Sequence, residues 1–170
     1  MKKKKNARSG KDDKDPDWVI GDTGAKVFGD LVGYNLRRAH AIQRQRFADA
    51  FQPEGIRPVQ LSMLGLIYNN PGIKPSELGK VLDIKRANIV PLLDELQGRG
   101  LIERRQSPTD GRSRVIILTR TGETLARKLL ERHDRLEQDL ARQLGARNRK
   151  QLLKLLIDFR EIGSPGDLED

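Results

Sequence analysis

The chain has no cysteine. Disulfides, thiolate metal sites, thiol nucleophiles and thiol redox sensing are thereby excluded. Aromatic residues are scarce: one tryptophan, two tyrosines and four phenylalanines make up 4% of the 170 residues. Leucine, isoleucine, valine and alanine must do most of the packing. That balance favours helices over a β-sandwich, because aromatic and β-branched residues prefer strands. The two histidines, His40 and His133, lack metal-ligand spacing. The Gly21, Gly24, Gly29 series follows no strand and lacks the Lys-Ser/Thr of a phosphate loop. Neither an enzyme nor a bound metal or cofactor is therefore expected. No apolar run approaches the length of a membrane span or a signal-peptide core, so a cytoplasmic protein without a membrane partner is expected.

Acidic residues are the minority charge. Lys+Arg number 33 against 24 Asp+Glu, a formal charge of +9. Such a surface suits a polyanionic partner as well as simple solvation. The length suits one compact domain with flexible ends. Residues 1–17 open with Lys2-Lys3-Lys4-Lys5 and hold almost nothing that can enter a core, so they read as a disordered basic tail. A tail of this kind can also touch phosphates without reading sequence. A nucleoid-type, sequence-independent nucleic-acid-binding protein is thus the alternative reading of the charge.

The spacing of Val27, Leu31, Tyr34, Ala41 and Ala48 predicts a helix over residues 25–51. Gly29 and Gly33 lie four apart on one of its faces. They need a reason, either close helix packing or room for a ligand. Pro53, Gly55 and Pro58 break the pattern, and a second helix is expected over 58–69. Pro75 suits the first turn of a short helix reaching about Val81. After a turn at Asp83-Ile84 comes a helix carrying Ile89, Leu92, Leu93 and Leu96, ending at Gly98 or Gly100. Two helices joined by a tight turn form a helix-turn-helix pattern. The periodicity then changes to two over 101–106 and 113–118, around the turn-forming run Ser107-Pro108-Thr109-Asp110-Gly111-Arg112. This is a β-hairpin directly after a recognition helix, which is a wing. Thr121 is a candidate cap for a long helix to about Leu144. A last, leucine-rich helix is expected from Asn148 or Arg149 to Ile162, before a frayed tail over 163–170.

Several runs at these positions resemble the MarR family of multiple-antibiotic-resistance-type regulators. They are Asn35-Leu36-Arg37-Arg38-Ala39, Pro71-Gly72 with Glu77-Leu78-Gly79, and Arg99-Gly100-Leu101-Ile102-Glu103-Arg104. Most specific is Asp110-Gly111-Arg112 followed by Leu118-Thr119 and Gly122. The resemblance covers about residues 31–160. It implies a mainly α fold with a small β-hairpin wing, in an intertwined homodimer built through N- and C-terminal helices. Residues 18–57 and 121–162 would supply dimerisation, and 58–120 the winged helix-turn-helix. Lys74, Lys85, Ala87 and Pro91 depart from the residues common in the family, so a different operator sequence is expected.

A helix fits the major groove and its first turns reach base edges. Arg86 is suited to guanine, Asn88 to adenine, and Pro91 to a thymine methyl. Lys85 and Ser76 suit phosphate. At the wing, Arg112 is expected in the minor groove, oriented by Asp110, with Arg104, Arg105 and Arg114 on phosphates or forming a solvated basic stripe. A two-fold dimer calls for a pseudo-palindromic double-stranded operator. The resemblance further implies a ligand-responsive repressor released by a small aromatic or anionic effector, such as an aromatic acid or an acyl- or aryl-CoA. Trp18, Phe28, Tyr34, Arg37, Arg38, His40, Arg44, Phe47 and Met63 are the candidate pocket residues. The basic cluster on the first helix can equally form salt bridges between subunits.

Overall fold

The structure, a computed structural model, describes residues 27–107 and 113–162. Its chain divides into two units, residues 1–46 and 47–170. Helix α1 (Val32–Phe51) begins in the first and ends in the second.

In the first unit the helix expected from residue 25 is interrupted. Val27 and Phe28 are helical, but Gly29-Asp30 form a turn. Leu31 N–H donates to Phe28 O at 3.0 Å. The Asn35 amide fastens the turn, donating to Gly29 O at 2.6 Å and Leu31 O at 3.0 Å. A Cβ added at Gly33 would meet nothing within 4 Å. Gly29 therefore serves a turn, and among the described residues close packing does not explain Gly33.

The second unit is built around α2 (Pro58–Asn69), which buries Gln60, Leu61, Met63, Leu64, Gly65 and Ile67. A 3-10 turn (Gln52–Glu54) leads into it. Proline at its first position costs no hydrogen bond, since that N–H has no partner in a helix. The Gln60 side chain accepts from Arg57 N–H at 3.0 Å. Asn69 and Asn70 end the helix by donating to Gly65 O and Leu66 O at 2.8 and 2.9 Å. Helix α3 (Pro75–Val81) starts where Glu77 accepts from Lys74 N–H at 2.9 Å. Its exit turn puts Asp83 at φ 52°, a conformation that aspartate tolerates better than most residues. The Ile84 N–H reaches Gly79 O at 2.8 Å, and a Cβ on Gly79 would lie 2.9 Å from Ile84 O. A small residue is therefore needed where the two helices meet. Helix α4 (Arg86–Gly98) buries Ile89, Leu93 and Leu96, one stripe of helical spacing.

Strands β1 (Ile102–Gln106) and β2 (Arg114–Leu118) form the antiparallel hairpin, in register from Ile102 opposite Leu118 to Gln106 opposite Arg114. Ser107 N–H closes it on Ser113 O at 2.9 Å. Ile73 bridges Ile116, which seats the segment before α3 on β2. Helix α5 (Arg120–Leu144) follows, and α6 (Ala146–Ile162) starts earlier than expected. Thr119, not Thr121, caps α5, its hydroxyl accepting from Gly122 N–H at 3.0 Å. The same hydroxyl donates to Gly100 O at 2.6 Å, and Thr119 N–H donates to Leu101 O at 3.1 Å. Thr121 lies inside the first turn. Among the described residues no helix is long and apolar enough to cross a membrane.

Glu54 forms the main ionic node of the second unit. It accepts from Arg132 at 2.7 and 3.0 Å and pairs with Lys128 at 2.9 Å, with its side chain only 10% exposed. The hydrogen bond from Arg132, then that from Lys128, holds its carboxyl below the ordinary value of 4.5, against the opposing effect of burial. A carboxylate whose folded pKa is depressed stabilises the fold above its unfolded value and loses that contribution as pH falls through the folded value. The difference in urea midpoint between wild type and Glu54→Gln is therefore expected to be full at pH 7. It should shrink as the pH is lowered below about 4.5.

At Gly122 an added Cβ would lie 1.8 Å from Leu101 O and 2.8 Å from Leu101 C. Both obstacles are backbone, so neither can rotate away. Gly122→Ala is expected to lower the unfolding free energy by about 3 kcal/mol, read from urea or thermal denaturation.

Candidate nucleic-acid interface

Three elements converge on one cleft of about 580 Å³. The entry to α3 supplies Lys74, Pro75 and Ser76, and α4 supplies Arg86, Ile89, Val90 and Leu93. The hairpin adds Arg104, Ser113 and Arg114, and Ile84 comes from the turn. The apolar members are the flank of the core stripe of α4. The cations stand at positions that hairpin register and helix phase bring together from sequence separations of up to 40 residues.

Four of the expected DNA-contact residues, Ser76, Arg86, Arg104 and Arg114, thus share this cleft. Lys85, Asn88 and Pro91 lie outside its lining but are exposed on or beside the first half of α4. Proline at 91 leaves the Ala87 carbonyl without its usual helix donor, and an exposed carbonyl of this kind is satisfied by solvent. Among the described residues, Arg86 and Arg114 make no ion pair, so both charges are available to a ligand. Arg104 differs. Its guanidinium bonds Asp94 Oδ1 at 2.6 Å and is 23% exposed. Arg105 pairs with Glu103 at 2.5 Å on the hairpin surface. Asp110, Arg112 and Trp18 lie outside the described residues. Sequence reasoning leaves Lys74 and Val90 out of the site. Lys74 registers there only as a departure from the residues common in the family, and Val90 is 44% exposed on a helix whose apolar stripe is otherwise buried.

The candidate effector residues fall in both units. In the first, the Phe28 and Tyr34 rings stack with centroids 5.5 Å apart, and the Arg37 guanidinium lies 5.4 Å from the Tyr34 centroid. Arg38 is half-buried, and His40 and Arg44 are exposed. In the second, Phe47 packs on Phe51 at 4.4 Å, and Met63 is wholly buried in the core.

A helix-turn-helix followed by a hairpin and two long helices has relatives among known proteins. The MarR family model matches residues 56–113. A regulatory protein assigned to the hcr operon of Thauera aromatica is 33% identical over 126 residues, covering 74% of this chain and 76% of that protein. The chain belongs to the MarR family. The MarR-family repressor CouR, solved bound to a 23-mer DNA duplex, matches with 35% identity and a TM-score of 0.73, over 80% of this chain and 96% of that one. CouR bound to p-coumaroyl-CoA matches with 34% identity and a TM-score of 0.71, over 78% and 94%. The fold is therefore that of a MarR-family winged-helix regulator, and its homologues are transcriptional repressors. Members of the family are DNA-binding transcription factors rather than enzymes.

The Asp94–Arg104 pair couples the middle of the recognition helix to the hairpin. Asp94 is more than half exposed, so solvent screens the pair. Asp94→Ala is expected to change the urea-derived unfolding free energy by no more than about 1 kcal/mol.

Proposed function

We propose that this MarR-family regulator binds a pseudo-palindromic operator as a homodimer and represses transcription until a small effector releases it. The observation that carries the DNA reading is the cleft that Arg86 and Arg114 share beside the exposed start of α4, neither of them ion-paired among the described residues. Arg86 and Asn88 read base edges, and Val90 and Pro91 present apolar surface to thymine methyls. Lys74, Ser76, Lys85, Arg105 and Arg114 fix register on phosphates. Arg112, with Asp110, is assigned to the minor groove.

Dimerisation is supported by α6. Among the described residues it buries none, while Leu155, Phe159 and Ile162, on one face of the helix, are 56%, 49% and 76% exposed. An apolar face of that size on a monomer marks an interaction surface. A second copy of the chain covers it in this reading, with residues 58–120 left free for DNA.

The effector reading is an aromatic acid or its CoA thioester. It is supported by the p-coumaroyl-CoA bound in the CouR complex and by the cations Arg37, Arg38 and Arg44 on α1. Release requires that the effector favour the unbound geometry by a few kcal/mol.

Selection of bound duplexes from a random pool tests the DNA reading. A pseudo-palindrome with half-site centres about 34 Å apart is expected. Arg86→Ala should weaken binding to it by about 5- to 150-fold and relax preference at one base position. Enrichment of no sequence, with binding lost on deletion of residues 1–17, would replace this reading with non-specific nucleic-acid binding.

Sedimentation tests the dimer: the wild type should run as a dimer and Leu155→Glu as a monomer with little operator affinity. Titration of the operator complex with p-coumaroyl-CoA and with free aromatic acids tests the effector. If none releases DNA at saturation, the effector assignment is wrong and the DNA assignment stands.

A further inference from the structure

Adjacent carboxylates fasten α4 on two different sides. Asp94 bonds Arg104 of β1. Glu95, about 100° further round the helix, pairs with Arg57 just ahead of α2. One turn later Arg99 donates to the backbone of the same segment, reaching Glu54 O at 2.8 Å and Gly55 O at 3.3 Å. The end of the recognition helix is thus tied to residues 54–57 by two separate side chains.

Residues 54–57 are themselves anchored on the other side. The Glu54 carboxylate is held by Arg132 and Lys128 of α5, and Arg132 also donates to Ala50 O at 2.7 Å. Its guanidinium lies 5.7 Å from the Phe51 ring centroid. Glu54 therefore faces two ways: its carbonyl binds the recognition helix, and its carboxylate binds α5. None of Glu54, Arg99 and Arg132 lines the cleft.

The physical division of labour is clear from the kinds of force involved. Ile89, Leu93 and Leu96 hold α4 on the core, but apolar burial has no direction and tolerates rotation or sliding. Hydrogen bonds weaken steeply off axis and so fix orientation. The Arg57–Glu95 pair is about half exposed on both sides and adds little stability. The two donors of Arg99 converging on consecutive carbonyls, and the two-point grip of Arg132 on a nearly buried carboxylate, define an angle.

We infer that Arg99 and Glu54 are positioning residues for operator recognition, joining α5 to the recognition helix so that the setting of α5 fixes the angle of α4. This rests on the dimeric operator-binding reading above. In a two-fold dimer that angle sets the half-site spacing the protein accepts.

The test measures affinity of the full-length protein for its selected operator and for versions with one base pair inserted or removed between half-sites. One base pair alters both separation and rotational phase. The wild type is expected to prefer its selected spacing. Arg99→Ala and Glu54→Gln should reduce that preference by about 2- to 30-fold, and Arg99→Lys should restore part of it. A merely structural role would lower affinity for all three duplexes equally. Uniform loss, or unchanged preference in a folded Arg99→Ala protein, overturns the inference. Should Arg99→Ala not fold, Arg57→Ala removes an exposed contact of the same segment and is judged by the same preference. A wild type that prefers no spacing while still selecting a half-site removes the dimer premise and the inference with it. A wild type that selects no sequence removes the DNA reading itself.

Discussion

The close approach of Gly122 to the Leu101 carbonyl is the constraint on which the rest of the winged unit depends. Its backbone lies where no side chain fits. Thr119 reinforces the junction from both sides, binding Gly100 O and Leu101 O while capping α5. The end of the recognition helix, the base of the hairpin and the first turn of the long helix are thereby one rigid joint. The hairpin leaves Leu101 and returns at Leu118, so fixing the two ends of the strands also fixes where β1 and β2 stand beside α4. The cleft follows from that joint. Its walls are the buried stripe of α4 and the inner face of the hairpin, and its rim carries the cations.

Charge within this frame is distributed unequally. Arg104 sits on β1, where pairing with Asp94 offsets the cost of its partial burial. Arg86 and Arg114 are more peripheral and have no carboxylate partner among the described residues. A polyanion approaching the cleft therefore meets charges that need not be released from such a partner. Asp94 would otherwise repel it, and Arg104 screens that carboxylate. The paired arginine shapes the surface, and the other two supply attraction.

Most of the winged unit is legible in the sequence because its signals are local. Pro58, Pro75, Asp83 and the Gly98-Arg99-Gly100 run punctuate helices whose stripes have helical spacing, and the switch to period two marks the hairpin. Thr119 and Thr121 both suit a cap by residue type. The choice between them is made by Leu101 and Gly100, which lie too far back in the chain for a capping pattern to register. Gly122 can be recognised as part of a motif, but its physical reason is the same tertiary contact. Gly29 has the spacing of a packing glycine, whereas the turn it serves is fastened by Asn35, six residues on. In the candidate site, Arg86 and Arg114 are found by their places on the recognition helix and hairpin. Lys74 and Val90 escape such reasoning because their relevance depends on which elements wall the cleft. The Glu54–Arg132 node joins residues 78 apart, and no local pattern announces a pairing over that distance.

This contrast separates two kinds of information in the chain. The residues matched by the family model, 56–113, contain most of the cleft, including Arg86, with Arg114 immediately after them. Glu54, Lys128, Arg132, Thr119 and Gly122 lie further out on either side. The cleft is thus written in a nearly contiguous stretch, whereas the ties that hold α4 pair residues inside that stretch, such as Arg99, with residues outside it, such as Glu54. Substitutions on the exposed first half of α4 are remote from the Gly122 and Glu54 contacts, which involve Leu101 and the Arg99, Arg132 and Lys128 side chains. Changes around Glu54 touch the ties of α4 to α5 while leaving the residues that line the cleft in place. Two largely independent sets of residues result, because directional polar contacts hold the helix in place and side-chain identity on its exposed half sets the chemistry of the cleft rim.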